Sequence, residues 1–184
     1  MTFVPPPLRR PAIRLFFLLL SLLPALSFAQ SKAPAKPLSE ETRRANLETQ
    51  LTQMEQAFLQ EDFEVYADFL HPDVLRVAGG ADAFAGKLRK SAEQLSAGGG
   101  KVSGLTHGAP SRIVRADREL QCTVPQTLEL QQGGQARSLP TTLLAISTDG
   151  GLHWAFLDTA GKDWESVRRL VPSLSREIVL PVRQ

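Results

Sequence analysis

Three side chains in this sequence could perform acid–base chemistry together. Asp158 carries a carboxylate that could act as a general base, and either Tyr66 or His71 could donate a proton. Such a carboxylate must be held near its working pH by burial and by its neighbours. If Asp158 and one donor converge in a closed pocket, the predicted reaction is that of an isomerase, a dehydratase or a hydrolase. The structural alternative is that Asp158 caps the following turn and that His71 satisfies the end of a helix.

Two aromatic side chains lie close to Asp158 in the sequence. Because side chains in a regular strand alternate between two faces, Trp154 and Phe156 share the face of Asp158. Leu152 lies on that face as well. We expect both rings to fill the core, and a ligand platform formed by Trp154, Phe156 and Tyr66 is the alternative. The opposite, outer face then carries His153, Ala155, Leu157 and Thr159.

The remaining reactive side chains form no recognised catalytic or metal-binding pattern. His107 lies at a strand bend and receives no role, and His153 is expected to be solvated or to lie in a subunit contact. Cys122 is the only cysteine and occupies an alternating run, which predicts a small buried apolar residue. The sequence shows no histidine pair at metal-binding spacing, no nucleophile elbow and no phosphate-binding glycine loop. We therefore expect neither a metal nor a cofactor.

The elements that must position these residues begin with helices. Ser39 can cap a first helix, whose apolar positions recur at helical spacing at Leu47, Leu51, Met54 and Phe58. Asp62 can cap a short second helix, which His71-Pro72 should end because the residue before proline avoids helical geometry. The stretch "PDVLRVAGG" is predicted to be a short strand or an extended link. A further helix is predicted from about Asp82 to a break at residues 98–100.

Beyond residue 101 the hydrophobic period changes from helical to strand-like. Four extended segments are predicted: Lys101 to Val114, Glu119 to Gln131, Ala136 to Thr148, and Leu152 to Thr159. Short turns separate them, at residues 116–118, 133–134 and 149–151. Asp163 can cap a last helix, and the apolar tail "REIVLP" should dock on the body. Helices followed by an antiparallel meander predict an α+β domain, with N-terminal helices packed on one face of a curved sheet of four to five strands.

Two stretches carry a resemblance to a known group of proteins. The segment "AFLQEDFEVYADFLHPDV", followed by "GGADAFAGKL", resembles the nuclear-transport-factor-2-like superfamily, with its SnoaL-like members and cystatin-like cone fold. The second half of the chain looks like a branch of small exported bacterial proteins. The resemblance covers about residues 45–181 and implies a fold that hosts both enzymes and purely binding modules. Enzymes of the group place an Asp, His or Tyr dyad deep in the cone, and no such dyad is matched here residue by residue.

The first residues have the pattern of a secretory signal peptide. Arginines at positions 9, 10 and 14 precede an apolar run, and small residues follow at positions 27 and 29. The run is shorter than the ~20 residues of a membrane span, and an uncleaved anchor is the alternative. The predicted organisation is a signal peptide (1–29), a flexible linker (30–38) and a single domain (39–184). We expect a protein exported to the periplasm of a Gram-negative bacterium.

The charge balance of the predicted mature chain excludes one class of partner. Three of the 21 Lys and Arg residues lie within residues 1–29, so 18 remain against 19 Asp and Glu. A near-neutral chain with scattered charges lacks the clustered basic face that nucleic acids require. We therefore expect no nucleic-acid partner, and no membrane contact once the leader is cleaved.

Two functions of different class follow from these patterns. The favoured one is a non-catalytic exported module that binds a small apolar or amphipathic ligand in the cone, or associates with a protein. A homodimer through the outer sheet face, at Ala155 and Leu157, would match the sheet-to-sheet dimers common in the superfamily. The alternative is the acid–base enzyme described above, with Asp158 and either Tyr66 or His71.

Overall fold

The computed structural model describes residues 37–180, which run through four helices, five strands and a last helix. The helices are α1 (Glu40–Leu59), α2 (Phe63–Asp68), α3 (Pro72–Ala78), α4 (Ala81–Ala97) and α5 (Trp164–Leu170). The strands are β1 (Gly100–His107), β2 (Val114–Ala116), β3 (Glu119–Gln132), β4 (Gln135–Ser147) and β5 (Ala155–Asp158). The predicted signal peptide, most of the linker and the last four residues of the predicted domain lie outside the described residues.

Three of the predicted helix starts are confirmed by their capping hydrogen bonds. Ser39 Oγ accepts from the backbone N–H of Thr42 at 3.1 Å, at the start of α1. Asp62 and Asp163 accept from the third residue after each of them, at 3.2 Å and 2.8 Å, at the starts of α2 and α5. Such caps satisfy backbone donors that a helix leaves without a partner at its first turn. Short polar side chains thus determine where these three helices begin.

The prediction for residues 72–80 was wrong, because this segment forms α3 instead of a strand or an extended link. Proline suits the first position of a helix, where its missing N–H costs nothing and its φ angle is already helical. Pro72 therefore starts α3, and His71 is its N-cap, with Nδ1 accepting from the Asp73 N–H at 3.3 Å. Gly79 ends the helix at φ 96°, a left-handed conformation that glycine adopts without strain. His71 thus caps a following helix and does not satisfy the end of α2.

The sheet is antiparallel, with strand order β1-β3-β4-β5 and β2 paired to β3 beyond the end of β1. A two-residue turn, Gly133-Gly134, joins β3 to β4, and both glycines have positive φ, as this hairpin type requires. The single strand predicted from Lys101 to Val114 is instead two strands. Residues 108–113 lie between them outside the ladder, and Pro110 in this segment has no N–H to donate.

Both faces of the sheet are covered at the β2 end, which explains the continuous apolar run "LLAI" in β4. Leu143 and Ala145 face α1, whereas Leu144 and Ile146 face α5. On the α1 face they pack with Leu47, Leu51, Met54, Leu120, Cys122, Val124, Trp154 and Phe156. On the α5 face the partners are Val114, Leu157, Val167, Val171, Leu174 and Ile178. The predicted docking of the apolar tail is thereby confirmed, since Ile178 is buried.

The segment before β5 departs from the predicted strand. Only residues 155–158 are in the ladder, and Leu152 is 50% exposed instead of pointing inward. Residues 148–154 form a loop around Asp149, whose Oδ1 accepts from the backbone N–H groups of Leu152 and His153. Three polar side chains of α1 hold this loop through its backbone: Arg43, Asn46 and Gln50.

The edge strand β5 is covered by the link between α2 and α3. Phe156 donates its N–H to Phe69 O at 2.8 Å, and His71 donates its N–H to Phe156 O at 2.9 Å. Leu157 is fully buried beneath the C-terminal segment. The outer surface that Ala155 and Leu157 were predicted to offer to a second subunit is therefore largely occupied by the chain itself.

The described chain is an α+β fold in which helices pack on a curled antiparallel sheet, as predicted. The order of its elements, helices first and strands afterwards, follows the change of hydrophobic period near residue 101. Within residues 37–180 no helix combines the length and the apolar character that crossing a bilayer requires.

Candidate functional site

A cavity of about 590 Å³ lies between the α1 face of the sheet and the helices. Its wall is mainly apolar and comes from every helix and from four of the strands. The apolar lining comprises Phe58, Leu70, Val74, Val77, Phe84, Leu88, Leu105, Leu128, Leu139, Pro140, Ala160 and Leu170. The polar lining comprises Tyr66, Gln126, Thr141, Asp158 and Lys162. A mainly apolar space with a few polar groups is typical of small-molecule sites.

The register of the sheet places four polar side chains in one line across its α1 face. His107 on β1 pairs with Gln126 on β3, and Gln126 pairs with Thr141 on β4. Thr141 Oγ1 donates to Asp158 Oδ1 on β5 at 2.9 Å. We call His107, Gln126, Thr141 and Asp158 the polar row. It separates the packed core around Phe156 from the cavity.

Tyr66, on α2, lines the same cavity as Gln126, Thr141 and Asp158 of the polar row. Its ring is enclosed by aromatic neighbours, with a centroid distance of 5.2 Å to Phe58 and 6.4 Å to Phe84, which is stacked on it. Burial raises the pKa of the Tyr66 phenol well above its usual range, and the negative charge of Asp158 raises it further. The phenol is therefore protonated at any physiological pH and is available to donate a hydrogen bond. Within residues 37–180 the hydroxyl has no hydrogen-bond partner.

Asp158 caps its own turn and also lines the cavity. Its Oδ1 accepts from the N–H of Ala160 at 2.7 Å, so the carboxylate caps its own turn. The same oxygen accepts the Thr141 hydroxyl, and Lys162 Nζ donates to the Asp158 backbone carbonyl at 2.9 Å. Both hydrogen bonds that the carboxylate accepts among the described residues end on Oδ1. Oδ2 is thus the oxygen left for a ligand.

The structure brings Tyr66 and Asp158 together and places His71 elsewhere. The side chain of His71 is engaged at the first turn of α3 and is not part of the cavity wall. Burial lowers its pKa, while the carboxylates of Asp73 and Glu119 act in the opposite direction. Of the two proton donors proposed from the sequence, only Tyr66 therefore shares a cavity with Asp158.

The two aromatic side chains near Asp158 belong to the packed core and not to the cavity wall. Phe156 is fully buried, and Trp154 is 3% exposed, both against α1. Of the three residues predicted as an alternative ligand platform, Trp154, Phe156 and Tyr66, only Tyr66 therefore lines the cavity. Trp154 Nε1 has no hydrogen-bond partner in the described part of the chain.

His107 connects the polar row to α1. Its Nδ1 lies 3.1 Å from Glu55 Oε2, and its Nε2 lies 3.0 Å from Gln126 Oε1. The imidazole is 8% exposed, and Glu55 is 30% exposed at a shallow depression beside α1. A hydrogen-bonded chain thus runs from the outer surface through His107 to the cavity.

The other candidates from the sequence have structural positions. Cys122 is fully buried in the core, where burial raises the pKa of its thiol to about 12. His153 is exposed and lies 2.6 Å from Asp149 Oδ2 in the loop before β5. Among residues 37–180 no three His, Cys, Asp or Glu side chains gather in a way that could hold a metal ion.

Several residues of the site had not been singled out from the sequence: Glu55, Gln126, Thr141 and Lys162. Gln126 and Thr141 carry a signal that was available, because the two-residue turn at Gly133-Gly134 places them directly opposite each other. The pairing of His107 with Gln126 could not be read in the same way, since β1 contains a register shift between Val102 and Gly104.

Comparison with known proteins finds several solved structures but no family. No family model and no curated protein matches this sequence. A protein from Catenulispora acidiphila is 15% identical, over 63% of this chain and 91% of its own, with a TM-score of 0.44. A structure from the same organism in complex with S-DNPA is 16% identical, over 62% of this chain and 90% of its own, with a TM-score of 0.44. Aln2 from a Streptomyces species is 13% identical, over 68% of this chain and 96% of its own, with a TM-score of 0.46. With scores this low, these structures say nothing about the activity of the present chain.

Proposed function

We propose that this protein binds a small, mainly apolar molecule in the cavity, with a hydroxyl group of the ligand between Tyr66 and Asp158. The observation that carries the proposal is the Tyr66 hydroxyl, which lines an apolar cavity and has no partner among residues 37–180. A ligand hydroxyl can accept from Tyr66 and donate to Asp158 Oδ2 at the same time. A volume of about 590 Å³ lies within the range of small-molecule sites.

The apolar wall sets the character of the rest of the ligand. Phe58 and Phe84 enclose Tyr66, and Leu88 on α4 and Leu128 on β3 also line the cavity. Displacing water from such walls supplies most of the binding free energy, and the hydroxyl pair supplies orientation. The ligand class is therefore an apolar ring system or short chain with a hydroxyl at one end.

Binding of naphthol, with naphthalene as the comparison, tests this proposal. We expect isothermal titration calorimetry to show one naphthol per protein, bound about fivefold more tightly than naphthalene because of one net hydrogen bond. Leu88→Trp should lower the affinity for both ligands by roughly tenfold or more, since the larger ring fills the cavity. Leu59→Trp is the matched control, because Leu59 is 43% exposed and lies outside the cavity wall. Equal effects of the two tryptophan variants would contradict binding in this cavity.

A second candidate function is the acid–base enzyme, and the shared cavity of Tyr66 and Asp158 favours it. Tyr66 would hydrogen-bond a ketone oxygen, and Asp158 Oδ2 would remove a proton from the adjacent carbon. The turn cap at Ala160 counts against this function, because it ties one carboxylate oxygen to the backbone. Deuterium uptake by acetonaphthone in D₂O, followed by NMR, distinguishes the two functions. Deuterium uptake that is faster than in buffer alone, and that is lost in Asp158→Asn, would establish the enzyme. Uptake at the rate seen in buffer alone would favour the binding protein.

We further propose a family group and a cellular location for this chain. Helices over a curled sheet with a cavity between them support membership in the nuclear-transport-factor-2-like group, with its cone fold. We also propose export to the periplasm after cleavage at residue 29, which mass determination of the secreted protein would test. A homodimer would have to use a surface other than the one at Leu157, and light scattering at high concentration would detect it.

A further inference from the structure

The cavity contains a second polar group that the proposed hydroxyl site does not use, namely the amide of Gln126. This side chain is 7% exposed and lines the cavity. Its Oε1 lies 3.0 Å from His107 Nε2, and its Nε2 has no hydrogen-bond partner within residues 37–180. An N–H₂ group that lies at a cavity wall and has no protein partner there is a donor that a ligand can use.

The orientation of this amide is imposed by the groups behind it. The Glu55 carboxylate can only accept when ionised, so His107 Nδ1 must donate to it. His107 Nε2 faces Gln126 Oε1, and it donates there when both ring nitrogens carry a proton, the form in which His107 and Glu55 are an ion pair. With its oxygen held by His107, Gln126 turns its N–H₂ group away from His107. In the ion pair of His107 with Glu55, Gln126 therefore offers donors to the cavity and not an acceptor.

We propose that Gln126 is a specificity residue that binds a carbonyl oxygen of the ligand, and that His107 and Glu55 are positioning residues for its amide. The inference rests on the proposed function, since it concerns the same cavity. It narrows the ligand class to apolar molecules with a hydroxyl group at one place and a carbonyl group at another. The hydroxyl meets Tyr66 and Asp158, and the carbonyl meets Gln126.

Two probes separate the carbonyl from the rest of the ligand. Naphthol carries only the hydroxyl, whereas hydroxyacetonaphthone carries a hydroxyl and an acetyl group at opposite ends of the ring system. We expect the wild-type protein to bind hydroxyacetonaphthone about five- to tenfold more tightly than naphthol, as one buried hydrogen bond to a carbonyl would give. Gln126→Leu should abolish this preference by weakening hydroxyacetonaphthone alone, because leucine has a similar size and no donor.

A substitution of Glu55, at the surface end of the Glu55–His107–Gln126 hydrogen bonds, tests whether these residues position the Gln126 amide. Glu55→Gln should reduce the preference for hydroxyacetonaphthone by about two- to fivefold and leave naphthol binding unchanged, because the second donation by His107 is no longer enforced. Glu48→Gln is the matched control: Glu48 lies on the same helix and lines the same shallow depression, without a hydrogen bond to His107 among the described residues. Glu55 is partly exposed, so this variant remains informative if Gln126→Leu fails to fold.

The outcomes distinguish this inference from the proposed function. If wild-type protein binds neither probe, the proposed function fails. If both probes bind but Gln126→Leu weakens them equally, or if Glu55→Gln and Glu48→Gln behave alike, the role of Gln126 and its positioning residues is overturned. Loss of the carbonyl preference alone, in both Gln126→Leu and Glu55→Gln, supports it.

Discussion

The two ends of the α1 face are built from the same strands and have opposite properties. At the filled end, Cys122, Leu143 and Phe156 pack against α1 and leave no accessible surface beyond a few percent. At the hollow end, beyond the polar row, Leu128 and Leu139 line a cavity of about 590 Å³. In α4, which borders the cavity, only Ala85 is fully buried. The hollow end therefore contributes less close packing to the stability of the fold than the filled end does.

The largest expected difference between the two ends is in the free energy of unfolding. Phe156→Ala should lower it by about 3–5 kcal/mol, because the ring is fully buried and its neighbours cannot collapse into the space. Leu128→Ala should lower it by only about 1 kcal/mol, since this side chain already borders empty space. Urea unfolding of both variants measures the contrast. Equal losses would mean that the hollow end carries as much of the stability as the filled end.

The loop that closes the filled end should show a smaller effect with a defined pH dependence. Partial burial acts to raise the pKa of Asp149, but hydrogen bonds from His153 and Ser147 outweigh it and bring the pKa below its usual range. The stabilisation is therefore complete above about pH 4, the ordinary value, and is lost as the pH falls below it. Asp149→Ala should cost about 1–2 kcal/mol at pH 7.

The pH dependence provides the control for that variant. Thermal unfolding of wild type and Asp149→Ala should differ at pH 7 and converge as the pH falls below about 4, because the wild-type carboxylate then gains a proton. A difference that stays constant over this range would show that the loop is held by something other than the charge of Asp149.

At the hollow end, removing one hydroxyl should change binding and leave stability nearly unaltered. Tyr66→Phe should change the free energy of unfolding by less than about 0.5 kcal/mol, because the hydroxyl has no partner among the described residues. The same variant should weaken naphthol about fivefold and leave naphthalene binding unchanged. A clear loss of stability without a change in naphthol affinity would assign Tyr66 to the framework and not to the site.

The smallest expected effect is a change in the absorbance of Tyr66. Tyr66 is the only tyrosine in the sequence, so this signal comes from one residue. Burial and the charge of Asp158 raise the pKa of Tyr66, so its phenolate absorbance should appear only above the ordinary value of about 10. The folded state holds this proton more tightly than the unfolded chain. The associated stability is therefore complete below about pH 10 and is lost as the pH rises further. Titration at the ordinary value would mean that solvent reaches the phenol freely.

The sequence predicted the filled end better than the hollow one. Caps at Ser39, Asp62 and Asp163, the turn at Gly133-Gly134 and the inward rings of Trp154 and Phe156 are local or periodic features, and all of them are confirmed. Such features report which face is apolar and where an element begins. They do not report whether the helices that cover a face approach it closely.

The failures have local physical causes. Pro72 was interpreted as a helix breaker, whereas it occupies the first helical position after the His71 cap. The strand predicted from Leu152 begins only at Ala155, because Asp149 gathers the preceding backbone into a loop. The polar row depends on the register of four strands. The bulge in β1 shifts that register, so the position of His107 in the row could not be predicted from the sequence.

We propose above all that the hollow end is a binding site organised by Tyr66 and Asp158. A crystal structure of the protein with naphthol tests it most directly. We expect density for one naphthol in the cavity, with its hydroxyl within hydrogen-bond distance of both Tyr66 and Asp158 Oδ2. Naphthol bound on the outer surface, or a cavity closed by a shift of α4 onto the sheet, would contradict it.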